Sequence, residues 1–188
     1  MVLEREMPKK KELSTELSAG YLAIPPAGSP GPGRIEYEAD PRQLERLVAD
    51  AGLVGGKSVS TPGVKPTTAE ILEEQPLRDD LKTTYRAAAA RCNYVSADRP
   101  DAQYACKETC RWMSAPSTTA WQSLKRLTRY FLGAPRLVYK YPRQKVDALD
   151  TYTDTDWAGC ARTRKSTSGG LVMFGKHCLK HWSSTQTS

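Results

Sequence analysis

The chain has 188 residues, of which 39% are hydrophobic, and its 28 Lys and Arg residues against 21 Asp and Glu residues give a formal net charge of +7. This content can form the core of one domain or two small ones, and no apolar run approaches the roughly 18–20 residues that cross a bilayer, so we expect no membrane contact. The five cysteines form no paired pattern and the first residues do not resemble a signal peptide, so we expect reduced thiols in a cytoplasmic or nuclear protein that is not secreted.

Residues 1–33 are predicted to be a disordered lead-in. They contain the charged run MPKKKEL and the Pro/Gly-rich run IPPAGSPGPG, which can hold neither a helix nor a β-ladder. Residues 34–76 are predicted to form a strand, a helix and a linker. Alternation in IEYEA indicates the strand. Asp40 as cap, Pro41 at the first position and Gly52 at the end indicate the helix, and the Pro and Gly residues after it indicate the linker.

Residues 77–145 are predicted to be a basic helical region. Between Leu81 and Lys145, thirteen Lys and Arg residues against three Asp and Glu residues leave a net charge of +10. Apolar residues at spacings of three and four predict a first helix over Arg78–Val95. A second helix is expected to open at Pro100, and a third to run from the cap Ser117 to Gly133. A basic region of this kind suits a polyanion such as nucleic acid.

Three cations of the third helix are candidate nucleic-acid-binding residues. Lys125, Arg126 and Arg129 lie on its predicted outer face, where they could meet phosphate groups. Basic residues on an outer face also solvate a helix in the ordinary way. The charge pattern alone leaves both interpretations open.

The rest of the chain is predicted to be β-structure. RLVYKY forms a strand before Pro142, and three more strands are expected over Leu149–Trp157, Gly170–Phe174 and Cys178–Ser184. Their short connections imply an antiparallel meander. The predicted fold class is therefore α+β, with a helical region followed by a three-stranded antiparallel sheet in residues 146–188.

Two aspartates of the first of these three strands are candidate site residues. Asp154 and Asp156 share one side of a regular strand, and two carboxylates placed in this way can hold a divalent cation such as Mg²⁺. The alternative is that one or both cap the turn that begins near Gly159. His177 and His181 do not indicate a zinc site, because on one strand they would lie roughly 13 Å apart.

The run YTDTDWAGCARTRKSTSGG, followed by KHWSSTQ, resembles the ribonuclease H domain at the end of copia-type retrotransposon Pol polyproteins. Members of that family carry Y-[ST]-D-[AS]-D-W-A-G, then R-[KR]-S-T-S-G, then a W-x-S strand. Upstream, YRAAAARCNYVSADRPDAQYA and AWQSLKRLTRYFLGAP resemble the region that connects reverse transcriptase to ribonuclease H. The resemblance covers about Arg34 to Ser188.

The resemblance implies roles for individual residues. Asp154 matches the family's first metal-binding, catalytic carboxylate, and Asp156 matches a recurrent aspartate to which no ligand role is assigned. Arg164 and Lys165 match the turn before the second strand, where we expect them to contact nucleic acid. In the complete parent enzyme, Mg²⁺ or Mn²⁺ would activate water to attack an RNA phosphate in an RNA–DNA hybrid.

Parts of the family's pattern are missing from this sequence. In the family, a helix with a catalytic Glu, usually within S-x-x-E-A-E, follows the third strand, whereas this sequence ends at SSTQTS. The polymerase motif Y-x-D-D is also missing, and the adjacent Asp79 and Asp80 stand at a predicted helix start. We therefore expect a Pol polyprotein fragment with an incomplete ribonuclease H domain, inactive alone and without a tightly bound metal.

Two other functions stay open beside this leading hypothesis. The basic region also fits a non-enzymatic nucleic-acid-binding module. A decayed transposon remnant without a selected function would leave apolar residues of the sheet short of packing partners; these are Val172, Phe174, Leu179 and Trp182. In the leading hypothesis the partners are an RNA–DNA hybrid or duplex and the remainder of the polyprotein.

Overall fold

The structure, a computed structural model, describes residues 21–23 and 34–187. Within these residues the chain forms five helices and two three-stranded antiparallel sheets. In chain order, the elements are β1 (Tyr21–Ala23), β2 (Arg34–Glu38), α1 (Arg42–Asp50), α2 (Thr68–Leu72), α3 (Asp79–Val95), α4 (Gln103–Cys110), α5 (Thr118–Gly133), β3 (Val138–Pro142), β4 (Leu149–Thr155), β5 (Thr167–Phe174) and β6 (His177–Thr185). The predicted mixture of helix and strand is confirmed. The lead-in expected over residues 1–33 lies outside the described residues, except for β1.

The first sheet has the strand order β1-β2-β3. Strand β2 runs antiparallel to β3, with Tyr37 opposite Tyr139. The Tyr37 hydroxyl donates to Asp98 Oδ1 over 2.9 Å, which ties this sheet to the turn after α3. Both β2 and β3 were predicted as strands. Their pairing was not, because it joins segments about a hundred residues apart.

Helices α1, α3, α4 and α5 share one hydrophobic core. Helices α3 and α5 supply most of this core, and the fully buried members of their predicted apolar stripes include Tyr85, Cys92, Leu124 and Leu127. Leu47 of α1 is buried in the same core. The helix of residues 34–76 therefore packs with the helical region that follows it, although the sequence placed the two in separate segments.

The observed helix starts agree with the predicted ones at some positions and differ at others. Ser117 Oγ accepts the amide of Ala120 over 3.1 Å, as expected of a cap. Helix α4 begins at Gln103 rather than at the predicted Pro100. Residues 99–102 form a turn instead, in which the Ala102 amide donates to the Arg99 carbonyl over 3.0 Å, and the first helical bond runs from the Cys106 amide to the Ala102 carbonyl.

The predicted linker over residues 55–76 contains a helix that the sequence analysis missed. Helix α2 is held by a reciprocal capping box, in which Thr67 Oγ1 accepts the Glu70 amide over 3.3 Å and Glu70 Oε2 accepts the Thr67 amide over 2.7 Å. Threonine followed three residues later by glutamate was the available signal. Only five residues long, the helix has too short an apolar pattern for periodicity to reveal it.

The second sheet has the order β4-β5-β6, so the predicted antiparallel meander is confirmed. Asp154 lies opposite Gly169, and the register shifts once, at Val172 and Met173. Strand β4 ends at Thr155, two residues before the predicted end. Trp157, the last residue of the predicted strand, is 93% exposed, because the chain leaves the sheet before reaching it.

The second sheet packs against the start of α4. Gln103 Nε2 donates to the carbonyl oxygen of His181 over 3.3 Å, and the His181 ring donates from Nε2 to the Ala97 carbonyl over 3.0 Å.

Among the described helices, none is both long and apolar enough to cross a lipid bilayer.

Candidate functional site

Asp154 is positioned by strand β4 at the open edge of the second sheet. All seven residues of β4 are exposed, Asp154 among them. Its Oδ1 accepts the amide of the next residue, Thr155, over 2.9 Å. Among the residues that the structure describes, no cation forms an ion pair with Asp154, so its carboxylate is available to a partner from solution.

Asp156 has a different role, because it closes the loop between β4 and β5. The Asp156 amide donates to the Thr167 carbonyl over 3.0 Å, and the Thr167 amide donates in return to Asp156 Oδ1. A Cβ atom added at Gly159 would lie 2.0 Å from Asp156 Oδ2, so this glycine makes room for the carboxylate. Asp156 therefore caps the turn, which is the alternative that the sequence left open.

An open cleft of about 480 Å³ lies between the start of α4 and the sheet. Asp154, Thr167 and His181 line it from the strands, and Gln103 lines it from the helix. Lys107 Nζ donates to Thr167 Oγ1 over 3.1 Å and so fastens α4 to the first residue of β5. The cleft leaves Asp154 accessible while its neighbours bind the sheet to the helix.

The donor set around Asp154 does not fit the divalent cation that the family resemblance implies. Mg²⁺ takes about six oxygen ligands and is usually held by more than one carboxylate or by phosphate groups. Asp156 already accepts the Thr167 amide. No group of three or more His, Cys, Asp or Glu residues in the described part of the chain is arranged to hold a metal ion.

The histidines that could suggest a metal are each occupied elsewhere. The His177 ring donates from Nε2 to the Pro142 carbonyl over 2.8 Å, and the His181 ring contacts Ala97. The two therefore bind different parts of the chain. All five cysteines are free thiols.

The loop between β4 and β5 holds an unusual thiol at Cys160. Burial raises the pKa of Cys160, but hydrogen bonds from the Thr163 hydroxyl and amide and from the Arg111 guanidinium outweigh that effect and bring it to about 7. Arg111 Nη2 lies 3.3 Å from Cys160 Sγ and 3.2 Å from Thr163 Oγ1. The sequence carried no signal for this contact, which joins residues about fifty positions apart.

The predicted nucleic-acid-binding residues of α5 lie outside the core but have different surroundings. Consecutive helical residues diverge by about 100°, so Lys125 and Arg126 face different sides. Lys125 Nζ lies 5.3 Å from the centre of the Trp121 ring, and Arg126 Nη2 donates to Thr61 Oγ1 over 2.7 Å. Arg129 is exposed. Of the three, Arg129 is the most open to a partner, and binding by all three stays a prediction.

Arg164 and Lys165 lie at the tip of the β4–β5 loop and are both exposed. Arg164 has a φ of 54°, in the left-handed region, which makes the turn possible. Lys165 Nζ donates to the Thr187 carbonyl over 3.1 Å. Their binding to nucleic acid also stays a prediction.

The structure reveals an anchor for this loop that the sequence did not indicate. The Arg162 guanidinium forms two hydrogen bonds with the Glu74 carboxylate, of 2.9 and 2.6 Å. Its central carbon lies 4.6 Å from the centre of the Trp112 ring. Both groups of the ion pair are largely buried. The loop of the second sheet is therefore fixed to the helical region.

Comparison with known proteins gives the chain a family. It is 31% identical over 143 residues to the retrovirus-related Pol polyprotein from transposon RE1 of Arabidopsis thaliana, a match that covers 76% of this chain and 10% of that protein. The Pol polyprotein from transposon RE2 of the same plant is 31% identical over 138 residues, which are 73% of this chain and 9% of the relative. The chain belongs to the retrovirus-related Pol polyproteins of copia-type transposons.

The share of each relative that the chain covers differs widely. The chain spans about a tenth of the length of the Pol polyproteins that it matches. It is also 35% identical over 103 residues to the secreted RxLR effector protein 161 of Plasmopara viticola, which covers 54% of this chain and 72% of that protein. No protein-family model matches the chain, and no solved structure does.

Proposed function

We propose that the chain forms the part of a Pol polyprotein in which the reverse transcriptase region joins ribonuclease H. In this proposal the helices are the connecting region, and β4, β5 and β6 are the first three strands of a ribonuclease H fold. One observation carries it. The residues that resemble the family, 152–170 and 180–186, here called the signature, fold as consecutive antiparallel strands with Asp154 exposed on the first. The remainder of the polyprotein would be a partner.

The biochemical function that follows is handling of an RNA–DNA hybrid without cleavage by this chain itself. Binding is supported by exposed cations, Arg129 of α5 and Arg164 and Lys165 of the β4–β5 loop, which can displace the counterions that surround phosphates. The proposal of no cleavage is supported by the donor set: Asp156 already accepts the Thr167 amide, and no group of three or more possible ligands in the described residues is arranged to hold a metal ion.

A cleavage assay tests the catalytic half of the proposal. Purified chain is incubated with an end-labelled RNA–DNA hybrid in Mg²⁺ or Mn²⁺, beside a complete ribonuclease H as positive control. We expect intact RNA with the chain and fragments with the control. Cleavage by the chain that disappears in Asp154→Asn would contradict the proposal, since it would show a working site around this carboxylate.

The second candidate, a non-enzymatic nucleic-acid-binding module, is favoured by the same exposed cations and is tested by binding. The affinity for the hybrid should fall steeply with salt concentration. Lys125→Glu/Arg129→Glu should weaken it, whereas Asp154→Asn should not. Arg46→Glu/Lys176→Glu is a matched control, because it makes the same charge change at exposed residues of α1 and of the β5–β6 turn. Absence of binding even at low salt would reject nucleic-acid binding altogether.

A further inference from the structure

We propose that Arg129 of α5 and the two cations at the tip of the β4–β5 loop are parts of one continuous surface, which also includes two lysines of the segment before α2. This basic ridge consists of Lys57, Lys65, Arg129, Arg164 and Lys165, all of them exposed. Its partner is the phosphodiester backbone of nucleic acid. The inference rests on the proposed nucleic-acid binding and adds to it the residues that connect these cations.

The first part of the ridge is built by the segment 56–61, which lies alongside the second half of α5. The Val59 amide donates to the Arg129 carbonyl over 3.4 Å. A Cβ added at Gly133 would meet Ser58 Cβ at 2.9 Å, so the segment also crosses the end of the helix closely. Lys57 stands between these contacts and Gly56, which approaches Leu132. Lys57 and Arg129 therefore belong to the same surface.

The second part continues from Thr61, which is bound by Arg126, to residues 62–66. A cleft of about 240 Å³ is lined together by Lys65, by Thr119 and Ser123 of α5, and by Arg162 of the β4–β5 loop. Lys65 and Arg162 thus line one cleft beside α5. In the proposed surface, Lys65 is the cation that leads from α5 towards the loop.

The third part is the loop itself, held in place by Arg162. Its guanidinium binds Glu74 and lies over the Trp112 ring, so its charge is neutralised within the protein. Arg162 is therefore a positioning residue, and the exposed charges next to it, Arg164 and Lys165, are the ones available to phosphate.

The dimensions and charges of the ridge fit a nucleic-acid backbone. Helix α5 has 16 residues and is about 24 Å long at 1.5 Å per residue, which is most of one helical turn of a duplex, roughly 34 Å. Lys and Arg side chains that contact phosphates bind without regard to base sequence.

Fluorescence anisotropy with a labelled RNA–DNA hybrid tests the ridge. Lys57→Gln/Lys65→Gln should reduce the magnitude of the slope of log affinity against log salt concentration by about 1.8, at 0.9 per phosphate contact. The affinity in 0.1 M KCl should fall about tenfold or more. Arg46→Gln/Lys176→Gln removes the same charge elsewhere and should change the affinity less than twofold. Circular dichroism checks that all variants are folded.

Each outcome separates the ridge from the proposed function. If the unmodified chain binds and Lys57→Gln/Lys65→Gln behaves like the control pair, the ridge is wrong while nucleic-acid binding stands. If the unmodified chain does not bind at low salt, both are wrong. If polyglutamate at equal charge competes as well as the hybrid, the surface is not a nucleic-acid site. A loss confined to the ridge variants supports the proposal.

Discussion

The two aspartates of the signature should respond in opposite ways to substitution. Asp156 accepts the Thr167 amide and so closes the β4–β5 loop, whereas Asp154 accepts only the amide of its neighbour, Thr155, and is exposed. Replacing Asp156 by Ala removes the acceptor and leaves the partly buried Thr167 amide without this partner. Replacing Asp154 by Ala removes a side chain that no other part of the described chain uses.

The structure sets the size of the difference. A hydrogen bond to a charged group contributes about 1.5–3 kcal/mol, so Asp156→Ala should lower the free energy of unfolding by about 2 kcal/mol. For a chain of this length that corresponds to roughly 4–8 °C in Tm. Asp154→Ala should stay within about 0.5 kcal/mol of the unmodified chain, as is usual for exposed positions without special contacts.

Urea unfolding gives both free energies, and amide hydrogen exchange at Thr167 reports the loop itself. We expect the Thr167 amide to exchange faster in Asp156→Ala and at an unchanged rate in Asp154→Ala. Equal destabilisation by both substitutions, or an unchanged Thr167 amide in Asp156→Ala, would refute the division between a structural and an available carboxylate.

Three other contacts carry measurable expectations. Asp101→Ala should lower the free energy of unfolding by about 3–5 kcal/mol, because Arg99 is only 2% exposed and would lose its paired carboxylate. Burial raises the pKa of Asp101, but the contacts with Arg99 and Tyr130 lower it by more, so the net shift is downward. The stabilisation is therefore present at neutral pH, and urea unfolding should show its loss as the pH falls below about 4. Gly170→Ala should lower the free energy of unfolding by about 1–3 kcal/mol, since the added Cβ would lie 2.1 Å from the Trp182 ring. Gly169→Ala is the control and should be tolerated, because its nearest contact is 3.6 Å away. Equal Tm values for the two variants would contradict this. Alkylation of Cys160 by iodoacetamide should reach half its maximal rate near pH 7, and in Arg111→Ala this midpoint should shift to higher pH. A rate that rises only above pH 8 in the unmodified chain would exclude a stabilised thiolate.

Most of the fold could be predicted where one periodicity runs long enough. The stripes of α3 and α5 repeat over about three to four turns, and most of their members are buried, although the buried Ala89 and Tyr130 lie outside the predicted stripes. The start of α4 was placed too early because residues 99–102, although Pro100 and Asp101 suit a first helical turn, form a separate turn before the helix. Helix α2 was missed, and the pairing of β2 with β3 depends on packing of distant segments that no local pattern records.

The candidate site was predictable in its residue types but not in its contacts. The spacing of Asp154 and Asp156 placed both on one strand side, yet only the loop geometry shows that Asp156 is engaged. Lys57 and Lys65 fell in a predicted linker and carried no signal of their own. They join the candidate surface because residues 56–66 pack along α5, and that packing arises from the tertiary fold.

The signature therefore contains residues that serve the fold and one that does not. Asp156, Gly159 and Gly170 each meet a steric or hydrogen-bonding demand of the loop and sheet, so a chain with this fold needs them whether or not it cleaves a substrate. Asp154 meets no such demand. The resemblance of these residues to the Pol polyprotein family can thus reflect shared architecture alone. For that reason the two substitutions at Asp154 answer different questions. Urea unfolding of Asp154→Ala tests whether the fold needs this carboxylate, and the cleavage assay with Asp154→Asn distinguishes catalysis from binding.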